Sequence, residues 1–196
     1  MTISIKPTAS GSTIEQDGST ILTVDGSGNI SAQNNFTATG HVLQVLQTVK
    51  SDTFSTNSTS WVDVTGLSVS ITPTSSSSKI IIMCSIFHSG GVQTNNSLLR
   101  LVRGATPINF GSGSIGNRSA GFGLAQSAND ANNGQTSCCI YLDSPATTAS
   151  TTYKIQTLTN NGSGSGPSVI NRTFSDADGN YSIRTSSNII VMEIAG

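Results

Sequence analysis

Apolar residues occur in short segments that are separated by runs of Ser, Thr, Asn and Gly. The clearest segment is Lys79–His88, which is apolar on both faces and rich in β-branched residues. The polar run Ser75–Ser78 precedes it, and Ser89–Gly91 follows. A short apolar run between turn residues is typical of a strand buried on both faces at the centre of a sheet. We therefore predict a central strand in which Ile82 and Ile86 are fully buried.

Further segments along the chain have the same strand-like character. They are Val42–Val49, Trp61–Val64, Leu67–Ile71, Leu98–Val102, Ile108–Phe110, Ser137–Leu142, Thr152–Leu158, Tyr181–Arg184 and Ile189–Ile194. Val42–Val49 is apolar on both faces, whereas Leu67–Ile71 alternates and predicts one buried face. Gly123–Asp130 is the best helical window, and it is weak. Roughly seven to nine strands with turn signals between them predict an all-β fold, an antiparallel β-sandwich that is jelly-roll-like.

Residues 1–40 differ from the rest of the chain. Met1–Lys6 alternates as a strand that Pro7 should end, and Asp25–Gly28 joins two short strands in a hairpin. Forty residues of this kind cannot bury a core alone. We therefore predict a β-rich N-terminal stem over residues 1–40 and a sandwich domain over 41–196. The stem residues expected to be buried against other chains are Ile3, Ile5, Leu22 and Val24.

Charge is scarce in this chain. Only 10% of its 196 residues are charged, against about 25% in ordinary soluble domains, and the formal net charge is −1. Such a balance provides no field that would attract nucleic acid or an anionic membrane. Hydroxyl and amide side chains must supply the solubility, and they also pair well across subunits. The composition favours a structural or binding protein over an enzyme.

The three cysteines do not form a disulfide framework, because their number is odd and two of them are adjacent. Cys138 and Cys139 must point to opposite faces of a strand, so they cannot both enter one core. We expect Cys84 and one of this pair to be small core residues, with no disulfide. Met1–Thr20 is polar, and no apolar run reaches the ~18 residues of a membrane span, so neither secretion nor membrane insertion is predicted.

No motif predicts catalysis or a bound metal or cofactor. His41 and His88 lack partners at metal-ligand spacing. Asp176–Asn180 is similar to the start of a calcium loop, but the sharp-turn Gly and the bidentate Glu that should follow are missing. Gly111–Gly116 spells G-x-G-x-x-G without a helix after it. We expect no catalytic residues, no metal ligands and no cofactor.

Short motifs follow one another over about the last three quarters of the chain. They are Gly40–Val45, Ser60–Leu67, Ser70–Pro73, Ser78–Ile80, Leu101–Gly104, Tyr141–Pro145, Thr152–Lys154 and Val191–Ile194. In this order they resemble a virion-appendage module of tailed bacteriophages, notably those of cyanobacteria and other aquatic bacteria. Leu22–Ile30 resembles the repeat that often precedes such modules in phage fibres.

The resemblance implies a non-enzymatic virion structural protein, often a homotrimer, that is assembled in the host cytoplasm. The first hypothesis is a short tail fibre or spike, attached to other virion proteins by residues 1–40. Its sandwich would serve host attachment through weak, multivalent contacts with surface glycans. Two long loops, Gly111–Gln135 and Asn160–Asp178, are the predicted outward surface. Their candidate contact residues are Arg118, Phe122, Asn160 and Asn161.

Two other functions stay open. A capsid decoration or cement protein would hold coat subunits together by buried area instead of recognising a host. A lectin or carbohydrate-active domain is compatible with a sandwich, although fold alone is no argument for function.

Overall fold

The computed structural model of the chain describes residues 3–9, 11–16, 19–32, 39–91, 95–109, 111, 118–126, 130–160 and 166–196. The secondary structure in this part of the chain is all β. The chain divides into two compact units, Met1–His41 and Val42–Gly196.

The first unit is a four-stranded antiparallel sheet in chain order. Its strands are β1 (Ile3–Thr8), β2 (Gly11–Gln16), β3 (Ser19–Asp25) and β4 (Ile30–Ala32). The predicted hairpin is confirmed, and the carboxylate of Asp25 accepts the backbone N–H groups of Ser27 and Asn29 in its turn, each at 2.9 Å. Pro7 was expected to end the first strand but lies within it, opposite Ser12. An edge strand such as β1 tolerates proline because its outer N–H groups have no ladder partner.

The second unit contains eleven strands in the described residues. They are β5 (Val42–Lys50), β6 (Phe54–Thr56), β7 (Val62–Ile71), β8 (Lys79–Ser89), β9 (Asn96–Arg103), β10 (Thr106–Ile108), β11 (Gly123–Gln126), β12 (Gln135–Asp143), β13 (Thr151–Asn160), β14 (Ser168–Ile170) and β15 (Ser187–Ile194). Strands β9 and β10 form a hairpin whose turn contains Gly104.

These strands form two antiparallel sheets. Because β15 and β12 both pair with Ile80–Ser85, they must lie on opposite sides of β8, and the first sheet runs β5-β15-β8-β12. The short strands β14 and β6 extend it beyond the end of β8. The second sheet runs β7-β13-β9, with β10 and β11 both on β9. The first and last long strands are neighbours and the chain passes repeatedly between the sheets, which is a jelly roll, as predicted.

The core lies between the inner faces of the two sheets. Ile82 and Ile86 are fully buried, as predicted, together with Ile155 of β13 and Ile189 of β15. The outward residues of β8, such as Ile81 and Met83, are only half-buried. The expectation that this strand is buried on both faces is therefore wrong within the described residues of this unit, since one face is covered and the other is partly open.

Three other expectations are corrected by the structure. Val42–Val49 is not buried on both faces, because β5 is an edge strand with several exposed side chains. Tyr181–Arg184 forms only one isolated bridge, between Arg184 and Arg172. Gly123–Gln126, in the window whose helical pattern was weak, is a strand. The structure has one strand, β7, where the sequence predicted two, Trp61–Val64 and Leu67–Ile71. This strand begins at Val62 and continues through Gly66, which has a positive φ of 85°. Phe110 lies outside the described residues.

Candidate assembly surface

The outer face of the first sheet is apolar. Strand residues alternate in direction, so the residues that do not enter the core form the opposite face. On the edge strand β12, Ile140 is 76% exposed and Leu142 is 57% exposed. On the other edge strand, β5, Val45 is 53% exposed. We call this surface the outer face; its apolar members are Val42, Val45, Val49, Ile81, Met83, Ile140, Leu142, Ile190, Met192 and Ile194.

Strand register places these apolar residues in continuous rows across the sheet. One row runs from Val45 through Met192 and Ile81 to Leu142. The next row passes through Ile190 and Met83 to Ile140, with Gln47 at its β5 end. Side chains that are directly opposite on one face lie about 5 Å apart, so each row forms a contiguous stripe.

The outer face has almost no charge. The row beyond Ile140 is polar but neutral, with Asn188, Ser85 and Cys138. At the other end of the sheet, Lys79 donates a hydrogen bond to the Ser144 hydroxyl at 2.9 Å.

The outer side of the second sheet is very different. Lys154 forms an ion pair with Asp63 at 2.8 Å, and the Gln156 amide donates to the same carboxylate. Arg100 donates to Gln156 and stacks over Trp61, with its guanidinium carbon 4.5 Å from the ring centroid. An antiparallel sheet with one solvated side normally carries such polar groups. The first sheet departs from that pattern, so its outer face is the candidate protein-docking surface.

Strand β5 forms an open edge beside the outer face. Its inward residues are fixed to the second sheet, since Thr48 donates to the Ser68 carbonyl at 2.8 Å and Gln44 donates to the Thr72 carbonyl at 2.8 Å. Leu46 also points inward, opposite Val191, yet it remains 36% exposed at this edge. The apolar surface therefore continues around the edge of the sheet.

A buried polar network joins the sheets near one end of β8. The Nδ1 atom of His88 lies 2.9 Å from the Ser97 hydroxyl, and its Nε2 atom lies 2.8 Å from the Ser137 hydroxyl. Ser97 bonds in turn to Ser168, which bonds to Thr157. Burial lowers the pKa of His88 to about 3, so the ring is neutral at ordinary pH. With hydroxyls on both nitrogens and no exposed surface, His88 links the two sheets through hydrogen bonds.

A small cavity of about 370 Å³ lies beside Asp176–Asn180, the segment that is similar to the start of a calcium loop. Asp176, Asp178, Gly179 and Arg184 contribute to its lining. The Asp176 carboxylate accepts two hydrogen bonds from Arg184, at 2.7 and 2.9 Å, so its charge is already balanced. In the described part of the chain, no group of three or more His, Cys, Asp or Glu side chains is placed to hold a metal ion.

The adjacent cysteines Cys138 and Cys139 point to opposite faces of β12, as the alternation of side chains along a strand requires. Cys139 is buried directly opposite Cys84, whereas Cys138 is exposed on the outer face. The Asn109 amide lies 2.8 Å from the Cys139 sulfur. The hydrogen bond with Cys139 and burial both raise the pKa of Cys84, so this thiol stays protonated.

The structure describes all but one of the contact residues predicted from the sequence. Ile3 and Ile5 are 60% and 71% exposed on β1, while Leu22 and Val24 are half-buried on β3. Arg118 is exposed, and Phe122 packs in part against the core. Asn160 is exposed at the end of β13, and Asn161 lies outside the described residues. Their roles in attachment and host contact remain predictions.

Sequence reasoning did not identify the outer face. The exposed Ile140 and Leu142 alternate along β12 with the buried Cys139 and Asp143. The signal available in the sequence was that apolar residues occur on both faces of this strand. That signal predicts a cover on both sides of the sheet but does not say whether another part of the same chain provides it.

Comparisons with known proteins identify no family. No protein-family model matches the chain, and no curated protein matches it. Among solved structures, the chain is similar to one of the infectious bursal disease virus Gx strain, with 13% identity and a TM-score of 0.45. It is also similar to the 2.6 Å structure of T=1 particles derived from infectious bursal virus, with 12% identity and a TM-score of 0.41. The matches cover 94% and 97% of this chain but only 41% and 44% of those chains. TM-scores this low carry no inference about function.

No helix in the described residues is long and apolar enough to cross a membrane.

Proposed function

We propose that this chain is a non-enzymatic virion structural protein of a tailed bacteriophage. It acts as a short trimeric fibre or spike that displays the jelly roll of residues 42–196 for host-surface adhesion. The observation that carries the proposal is the uncharged, apolar outer face of the first sheet, on which Ile140 is 76% exposed. A protein that must assemble needs such a surface, and a freely soluble monomeric enzyme does not.

Adhesion by this protein would depend on the number of contacts. Three copies present three sets of the loops within Gly111–Gln135 and Asn160–Asp178. A weak interaction between each set and a host-surface glycan becomes strong overall, because the second and third contacts are intramolecular. Residues 1–40 attach the trimer to another virion protein, and Ile3 and Ile5 supply apolar side chains for that contact.

A capsid decoration protein is the second candidate, and the same outer face supports it. A decoration protein also needs an uncharged apolar surface, but uses it to bridge coat subunits. Tail and capsid locations are distinguishable on particles. Immunogold labelling of purified virions with an antibody against the chain should mark the tail. Label over the capsid would overturn the fibre proposal in favour of decoration, and no label on either part would overturn the virion role.

Catalysis is tested separately with the purified protein. We expect no change in the chain length of host capsular or cell-wall polysaccharides after prolonged incubation, measured by size-exclusion chromatography. Any turnover that a heat-denatured sample lacks would contradict the non-enzymatic assignment and favour a carbohydrate-active domain.

A further inference from the structure

We infer that the outer face of the first sheet is an interface between copies of this chain. The proposal names the occupant of the surface described above and rests on the proposed structural role. It places Ile140 and Leu142 of one copy against apolar surface of another, and it makes Cys138 a residue at the border of the contact.

The strands of this sheet are apolar on both sides, although the described residues of the unit Val42–Gly196 cover only one side. On β8, Ile80 and Ile82 are fully buried, while Ile81 and Met83 between them remain half-buried. Strands that are apolar on both faces are typical of sheets covered on both sides. In the described residues, the second sheet covers the inner side. A further layer is needed to cover the outer side, and a second copy supplies it.

The size of the face suits such a contact. Four strands about 4.8 Å apart, over roughly seven residues of about 3.3 Å each, give a projected area of roughly 450 Å². A contact between two such faces would bury roughly 900 Å², to which the open edge at Leu46 adds. This is close to the roughly 1,000 Å² expected of a specific interface.

The charge pattern allows contact between copies. Like-charged surfaces of two copies would repel each other, and the outer face carries no charge between Val45 and Leu142. Its polar border, at Asn188, Ser85 and Cys138, is neutral and can form hydrogen bonds with another copy. A surface shaped for a charged partner would present complementary charges, as specific complexes commonly do.

Thiol chemistry tests this inference, because Cys84 and Cys139 are buried and only Cys138 is exposed in a single chain. The full-length protein is treated with a maleimide, and the rate of modification at Cys138 is measured by mass spectrometry of peptides. Size-exclusion chromatography with light scattering gives the mass of the same sample. We expect a homo-oligomer in which Cys138 reacts about tenfold or more slowly than in unfolded protein.

Two exposed isoleucines provide a matched pair of variants. Ile140→Glu introduces a charge on the outer face, and Ile183→Glu introduces the same charge elsewhere on the surface, where the residue is 48% exposed. Neither side chain belongs to the core, so both variants should fold. We expect Ile140→Glu to restore rapid modification of Cys138 and Ile183→Glu to leave the protection unchanged.

Two results would overturn the inference. One is a wild-type monomer with a rapidly modified Cys138, which would mean that a different protein covers the face. The other is an oligomer in which Cys138 reacts equally fast in the wild type and in Ile140→Glu, which would mean that copies meet through another surface. A monomer would also contradict the trimeric form of the proposed function, but either result leaves the virion role itself to be decided by the labelling of particles.

Discussion

The Nε2 atom of His88 lies 2.8 Å from the hydroxyl oxygen of Ser137 on the neighbouring strand. Ser97 contacts the other ring nitrogen, so both nitrogens have partners inside the protein. Burial lowers the pKa of His88 to about 3, from an ordinary value of 6.5. The folded protein therefore holds a neutral imidazole at a position where a charged ring would have no counterion among its two hydroxyl partners.

The stability of the fold should consequently decrease in acid. Above pH 6.5, neither the folded nor the unfolded state protonates His88, and the stability is fully present. Between pH 6.5 and about 3, the unfolded chain binds a proton that the folded chain does not. The free energy of unfolding should fall by roughly 3 kcal/mol between pH 6.5 and 4 from this group alone.

The variant His88→Gln isolates this contribution. It should be less stable than the wild type at pH 7, because the amide cannot reproduce both hydrogen bonds. Its free energy of unfolding should change less between pH 6.5 and 4, measured by denaturant titration at each pH. Parallel pH profiles for the two proteins would show that His88 titrates normally and is not buried as described.

The buried carboxylate of Glu193 should act in a more acidic range. Burial would raise its pKa, but hydrogen bonds from Gln44 and Thr74 outweigh this and lower the pKa to about 2. The folded pKa is depressed, so the stabilisation is present above about pH 4.5 and is lost as the pH falls towards 2. We expect Glu193→Gln to reduce stability at pH 7. Its stability should also change less with pH below pH 4.5 than that of the wild type, as measured by the melting temperature at each pH.

The core assignment is tested at Ile82. Its side chain is fully buried between the sheets, so Ile82→Ala should reduce the free energy of unfolding by roughly 2–5 kcal/mol. Ile183→Ala removes the same atoms from an exposed position and should cost much less. Equal losses in the two variants, measured by chemical denaturation, would refute the placement of β8 at the centre of the sheet.

Cys84 and Cys139 are directly opposite each other across β8 and β12, which is the one pairing of cysteines that the described register brings together. We predict that they remain thiols. Rapid acid quenching, denaturation and alkylation without reductant should modify all three cysteines of the chain. Recovery of a peptide that links Cys84 to Cys139 would contradict this prediction.

The fold class could be predicted from the sequence because it depends on two kinds of local signal. One is the pattern of apolar residues along a strand, and the other is the presence of turn residues that bind neighbouring backbone groups. The run around Ile82 predicted a central strand, and the segment Thr152–Leu158 predicted β13. Ile82, Tyr153 and Ile155 are fully buried in these strands. Turn chemistry predicted the β3–β4 hairpin, where Asp25 binds the turn amides. These signals depend on periodicity and on turn residues, which a single sequence contains.

The candidate surface could not be predicted in the same way. Val45 and Val49 belong to a run that is apolar on both faces, and a sequence does not reveal whether the second cover comes from the same chain. The strands β6 and β14 have only three residues each, too few to establish alternation. His88 was weighed as a possible ligand, since its buried partners Ser97 and Ser137 are distant in sequence and become neighbours only through the sheet pairing.

Removal of residues 1–40 tests the division of the chain. The compact unit of residues 42–196 has its own core, so the truncated protein should fold and keep slow hydrogen exchange in β8. It should not be incorporated into particles when it replaces the full-length protein in an infected host, quantified by mass spectrometry of purified virions. Normal incorporation of the truncated protein would place the attachment site in the jelly roll.

Self-assembly of the full chain is the property on which the proposed trimeric fibre or spike depends. The most direct measurement is the mass of the purified full-length protein in solution over a range of concentrations. A trimer, with about three times the 20.1 kDa of one chain, is expected throughout the micromolar range. A mass of one chain at every concentration would contradict a trimeric virion appendage.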